Sequence, residues 1–168
     1  MKLYKSGSHI FNSSDLIKMY TNAPLYCGNR EVELVEFNDL FEVVFVRFKA
    51  TGLLEQLKPT AVQLRLNPIK LISENQLRNV AVLASNVDNL RIANRTVIKE
   101  SVSCTLDSKR NMHINEKGDV SLYVEDHDDE DNIIKYRAVN NQALIAAYLI
   151  HENFDIFELK KAGLATYA

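Results

Sequence analysis

The sequence predicts an α+β fold: a single domain over residues 1–168, mainly antiparallel sheet with a few helices and a C-terminal helical hairpin at 140–168. Three observations lead there. Short runs such as "REVELVEF" and "TAVQLRLN" alternate apolar and polar residues, the period-two mark of a strand with one buried face. A helical period shows instead in "SENQLRNVAVLAS" and in the apolar run near the C-terminus. No repeat, linker or low-complexity tract interrupts the 168 residues, a length sufficient for one packed core.

The elements follow in order. "KLYKSG" reads as a short strand ended by Gly7. In "NSSDLIKMY", Ser13 or Ser14 caps a short helix with Leu16, Ile17 and Tyr20 on one side. "REVELVEF" turns Val32, Leu34 and, less regularly, Val35 and Phe37 inward, with Glu31, Glu33 and Glu36 outward. "FEVVFVRFKA" is apolar on both faces, with Phe41, Val43 and Phe45 on one and Val44, Val46 and Phe48 on the other. Such a strand is expected to be central and covered on both sides. Val62, Leu64 and Leu66 then alternate with Gln63 and Arg65. Ser73 caps a helix whose apolar stripe is Leu77, Val80, Ala81 and Ala84. "NLRIANRTVIKESVSCTLDS" and "NMHINEKGDVSLYVED" are β-like, the second turning at Gly118, where a positive φ is expected. "NIIKYRAV" is the next strand.

The C-terminal segment carries the strongest contact signal. "NNQALIAAYLIHEN" starts at an asparagine cap and holds eight consecutive apolar residues, Ala143 to Ile150, so the fold or a partner must cover more than one side of it. "DIFELKKAG" pairs Asp155 with Glu158 as a capping box, and ends with Lys160, Lys161 and Gly163, a second helix. Helix, break and helix also outline a helix-turn-helix, but the second helix offers only two basic residues for reading bases. Tyr148, Phe154, Phe157 and Tyr167 are therefore the residues expected at a protein–protein or homo-oligomer contact.

"EDHDDEDN" packs six carboxylates and His127 into seven consecutive positions, Glu125 to Asp131, between two strands. It reads as a solvated hairpin connection, with a second reading as a docking tip in which Asp126, Asp128, Asp129 and Glu130 meet a basic partner. As a calcium loop it lacks the bending glycine and the distal glutamate, and His127 alone makes no zinc site. Outside this stretch 20 basic residues face 16 acidic ones. The excess gathers mildly between Arg65 and Arg110, short of the dense basic face of a nucleic-acid binder, so a nucleic-acid regulator is a lesser alternative.

Catalytic signatures are missing. The five glycines stand far apart, so no phosphate-cradling loop forms, and no Gly-x-Ser-x-Gly turn exists. Ser6, Ser8 and His9 are mere sequence neighbours. His9, His113, His127 and His151 are scattered among different elements, and Cys27 and Cys104 lack metal-pair spacing. No catalytic residue, metal or cofactor is expected. The start "MKLYKSGSHIF" has no signal-peptide core and no later run spans a bilayer, which points to no membrane and to a cytoplasmic place, of a host or within a virion. Sixteen asparagines against five glycines, with no catalytic signature, fit a small bacteriophage-type structural or host-interaction component.

"KLYKSGSHIFNSSDL" followed by "APLYCGN" resembles the opening of some ADP-ribosyltransferase-like domains, in which a first strand reads Leu-Tyr-His-Gly-Ser. That resemblance, over about thirty residues, implies an enzyme that binds a nicotinamide cofactor. The chain departs from the pattern at Lys5, which stands where the histidine is expected, and by an extra residue before Gly7; no catalytic glutamate is matched. A motif-poor enzyme is thus the alternative to the expected non-enzymatic assembly or interaction protein.

Replacing the acids of Glu125–Asp131 by Ser and Gly is expected to shift unfolding free energy by less than about 1 kcal/mol in denaturant titrations, since exposed charges contribute little. A docking tip would in addition lose the salt dependence of its association.

Overall fold

Capping chemistry sets the first elements. In the computed structural model, which describes residues 3–6, 9–107, 110–126 and 133–168, β1 (Leu3–Ser6) and β2 (His9–Asn12) form an antiparallel hairpin. Helix α1 (Ser13–Met19) starts at Asn12, whose side chain accepts from the Asp15 amide while the Asp15 carboxylate accepts from the Asn12 amide. The cap lies ahead of the expected Ser13 or Ser14. Ser14 is buried in the first turn and its hydroxyl donates to Asp39, 2.8 Å away.

The described chain is α+β and its contacts divide into two compact units, Met1–Asn67 with Ile150–Ala168, and Pro68–Leu149. The first unit holds a six-stranded sheet of β3 (Leu25–Cys27), β4 (Arg30–Asn38), β5 (Val43–Phe48), β6 (Leu54–Leu57), β7 (Gln63–Leu66) and the last strand, β13 (Ala165–Tyr167). Their order is β13-β7-β3-β4-β5-β6, antiparallel throughout except for the parallel pair β13–β7. Leu16, Ile17 and Tyr20 of α1 and its C-terminal end join Val32, Val44, Val46, Phe48, Leu64 and Leu66 in one buried cluster, as the alternation predicts.

Two strands correct the expectation. The irregular alternation at Val35 is a β-bulge: the register between β4 and β5 shifts between Leu34 and Glu36, leaving Val35 exposed. In β5 only the Val44, Val46 and Phe48 face is buried, the other being half-buried or exposed, so the sheet is packed on one face there and not on both. Phe41 is outside the strand altogether. The Asn38 side chain accepts from the Phe41 amide and Glu42 adopts a φ of 49°, so the strand begins only at Val43.

In the second unit, Ser73 and Gln76 complete a capping box for α2 (Glu74–Ser85), which buries Leu77, Val80, Ala81 and Ala84, the stripe read from the sequence. Strands β8 (Ala93–Ile98), β9 (Ser101–Thr105), β10 (Arg110–Ile114), β11 (Val120–Asp126) and β12 (Ile133–Arg137) form an antiparallel meander. Val102, Cys104, Met112, Ile114 and Leu122 are its buried side chains, and α2 contacts β11. Gly118 has the expected positive φ in the β10–β11 turn.

The C-terminal hairpin expected at 140–168 has one helix, not two. Helix α3 (Gln142–His151), within which the two units divide, buries Ile145 and Leu149 but leaves Leu144 57 % exposed, so the fold covers one side of its apolar run. After it, Asp155 does cap, but across a turn: its buried carboxylate accepts from the Leu159 and Lys160 amides at 2.7 and 3.0 Å. Glu158 at φ 55° and Gly163 at φ 76° then reverse the chain. The segment is drawn into the sheet instead, where Ala165–Tyr167 pair with Leu64–Leu66.

The buried Tyr20 hydroxyl donates to the Phe154 carbonyl at 2.9 Å. Burial first, and then the nearby Asp155 carboxylate, push the Tyr20 phenol above its ordinary value of 10.0. Tyr20→Phe is expected to lower unfolding free energy by about 0.5–1.5 kcal/mol in denaturant titrations, the net worth of one hydrogen bond, because the Phe154 carbonyl keeps the Ile156 amide as a donor. Above pH 10 the unfolded chain ionises first and stability falls as pH rises; the variant is expected to lose that share of the alkaline decline.

Candidate functional site

The β4–β5 connection carries two large apolar side chains where a turn is ordinarily polar. Leu40 is 84 % and Phe41 71 % exposed. Beside them lies a cleft of ≈ 490 Å³, built within the first unit from α1, the β4–β5 connection and the 3-10 turn Pro59–Ala61. This volume falls in the range of small-ligand and side-chain pockets. Phe37, Phe41, Val43 and Pro59 supply its apolar wall.

The polar wall is already paired with itself. Asp39 accepts from the Lys18 ammonium at 3.0 Å and from the Ser14 hydroxyl at 2.8 Å. The Lys18 bond and then the Ser14 bond hold the Asp39 carboxyl below its usual range. Lys18 also stands 5.3 Å from the centre of the Phe37 ring, a cation–π contact. A carboxylate held ionised by two donors is a poor proton shuttle at neutral pH, which needs a value near the working pH. The arrangement can receive an apolar side chain beside fixed dipoles.

Other titratable groups are dispersed. The His113 Nδ1 is 2.9 Å from the Ser103 hydroxyl, and the His151 Nδ1 is 2.9 Å from the Asn22 amide nitrogen. Burial pushes the Cys104 thiol up to about 11, so it packs as a small apolar group, and Cys27 is half-buried. Among the described residues no three His, Cys, Asp or Glu gather as metal ligands, and no helix is long and apolar enough to cross a membrane.

The residues expected at a contact are placed differently. Phe154 is 1 % exposed, and it is a core residue: its carbonyl is the partner of Tyr20 and its ring has no surface to offer. Phe157 is half-buried and meets the Tyr20 ring edge-on, 6.4 Å between centres and 87° between planes. Tyr167 is half-buried in β13 with the Lys160 ammonium 4.1 Å from its ring centre. In the second unit, Tyr148 is half-buried and its hydroxyl accepts from the Asn79 side chain at 3.0 Å. Asp126 ends β11; its side chain, and Asp128, Asp129 and Glu130, lie outside the described residues. Leu40, Lys18 and Asp39 were not singled out from sequence. The signal was there in "NDLFE", where two large apolar residues follow an Asn-Asp turn start.

No family model, no curated protein and no solved structure matches the chain. The likeness to ADP-ribosyltransferase-like openings rests on the quoted residues alone.

The Asp39 carboxyl is expected to titrate below an ordinary aspartate in NMR pH series, and to move back up in Lys18→Met. An unchanged midpoint in the variant would show that Lys18 does not hold it.

Proposed function

We propose that the protein is a non-enzymatic interaction component, and that the Leu40–Phe41 turn with its adjoining cleft is where it meets a protein partner or a second copy of itself. One observation carries this reading: two large apolar side chains stand in solvent at the rim of a concave, partly apolar surface. Scattered single apolar residues on a surface need no account, but adjacent ones bordering a pocket mark contact sites. The internally paired Ser14–Asp39–Lys18 wall supports contact over catalysis, since its groups are held rather than poised. The uncovered side of α3, with Leu144, adds a further apolar surface for assembly.

Sedimentation equilibrium of the purified chain, alone and with any co-purifying protein, tests it. The expected result is a mass above one chain or a stable complex. Leu40→Ser with Phe41→Ser is expected to weaken that association by about 2 kcal/mol or more, while leaving unfolding free energy within about 0.5 kcal/mol, as for other exposed positions. Association that survives the double change places the contact elsewhere.

A further inference from the structure

The outward faces of the two sheets differ in chemistry. On the six-stranded sheet the face opposite the core is charged: Glu31 pairs with Lys49, Glu33 with Arg47, and Arg65 lies 4.3 Å from the centre of the Tyr26 ring. Opposite charges paired across strands make an ordinary solvated face. On the five-stranded sheet, the face opposite Met112, Ile114 and Leu122 is nearly free of charge. Register sets Thr96, Ser103, His113 and Ser121 in one row across four strands. Thr105, Asn111, Tyr123 and Tyr136 form the next. Among the described strand residues of this face, Glu125 alone carries a fixed charge.

The rows are knit by short polar contacts. The Ser103 hydroxyl and His113 Nδ1 are 2.9 Å apart, and the Thr105 hydroxyl donates to the Asn111 side-chain oxygen at 3.2 Å. At the β12 end the Tyr123 and Tyr136 rings stand 6.3 Å apart, tilted by 55°, and Tyr136 is 72 % exposed.

The near absence of charge selects the occupant. Nucleic acid would need lysines and arginines to neutralise phosphates, and this face supplies none. A protein interface would need an apolar centre, whereas the exposed Ile98 and Ile134 of this face sit on its two edge strands and its centre is serine, histidine and asparagine. Hydroxyl, amide and imidazole groups each can donate or accept, which suits a ligand dense in hydroxyls. A tyrosine ring presents a negative π-face to the C–H side of a pyranose, and here the exposed Tyr136 stands beside the half-buried Tyr123. We infer that this face binds an uncharged carbohydrate chain, with Tyr123 and Tyr136 as the ring platform and Asn111 and His113 among the hydrogen-bonding groups. The inference is independent of the contact site at Leu40 and Phe41.

Affinity electrophoresis of the full chain tests it, in native gels containing amylopectin, mixed-linkage β-glucan, galactomannan or arabinoxylan, with heparin and single-stranded DNA as charged controls. The expected result is retardation by at least one neutral polysaccharide, weakened about tenfold in Tyr136→Ala and unchanged in Phe41→Ser. Circular dichroism checks that both variants fold, and Tyr136→Phe, which keeps the ring, is expected to retain most of the retardation. Four results overturn the inference: no retardation in any neutral gel, retardation by the charged polymers alone, retardation indifferent to Tyr136→Ala, or a loss of oligomeric mass in Tyr136→Ala, which would assign the face to self-contact.

Discussion

The hydrogen bond from the Tyr20 hydroxyl to the Phe154 carbonyl joins groups 134 residues apart, and the rest of the first unit is arranged around it. The Phe154 carbonyl also accepts from the Ile156 amide two residues on, so it is the buried Tyr20 hydroxyl that needs the distant partner, and a buried polar group without one is costly. Supplying that acceptor requires the chain to come back after α3. The return is held by backbone bonds between Asn67 and residues Asn153 and Asp155, and by the Asp155 carboxylate capping the turn that follows. It delivers β13 to the flank of β7, which would otherwise be an open edge of the sheet. The same bond anchors the end of α1, the helix that carries Ser14 and Lys18 to the cleft.

An unusual composition has a structural use. Five of the eight described non-glycine residues with positive φ are asparagines: Asn86, Asn89, Asn94, Asn141 and Asn153. Asparagine tolerates the left-handed region better than other side chains because its short amide can bond locally. Asn86 shows how the amide is then used. It ends α2 in the left-handed conformation, and its side-chain oxygen accepts from Asn141 just before α3. Asparagine here takes turn positions that glycine commonly fills, and adds a hydrogen bond that glycine lacks.

The cleft and the sheet face, if they are the contact surfaces proposed, would present themselves in two different ways. At the cleft, charges are cancelled locally by Lys18 and Asp39, which leaves exposed apolar bulk as the feature a partner would meet. On the five-stranded sheet, cancellation is unnecessary because the polar side chains are uncharged, and the pleat spaces them as regular rows. Both devices avoid the desolvation cost of burying unpaired ions.

What the sequence determined by itself is what local periodicity and capping encode. The α+β class, the strands with alternating residues, α2 with its cap and its four buried residues, and the turn at Gly118 follow from contacts within a few residues. The alternation turned Val35 inward, though less regularly, and only the pairing with β5 made that irregularity a bulge with Val35 exposed. Tertiary structure decided the rest. The capping box at Asp155 predicts a helix, yet a left-handed Glu158 and pairing with β7 won, because sheet hydrogen bonds and burial of Ile156 and Leu159 outweigh the small local preference of one helical turn. Phe154 reads as a surface aromatic in sequence and is a core residue, since only the chain's return places it beside Tyr20. Phe41 is the local exception: it reads as a strand residue and is exposed because the Asn38 side chain, three residues before it, holds the turn open until Val43, a signal carried by "NDLFE" that alternation alone does not show. At Asp155 and Phe154 the deciding partner was distant in sequence, which periodicity cannot see.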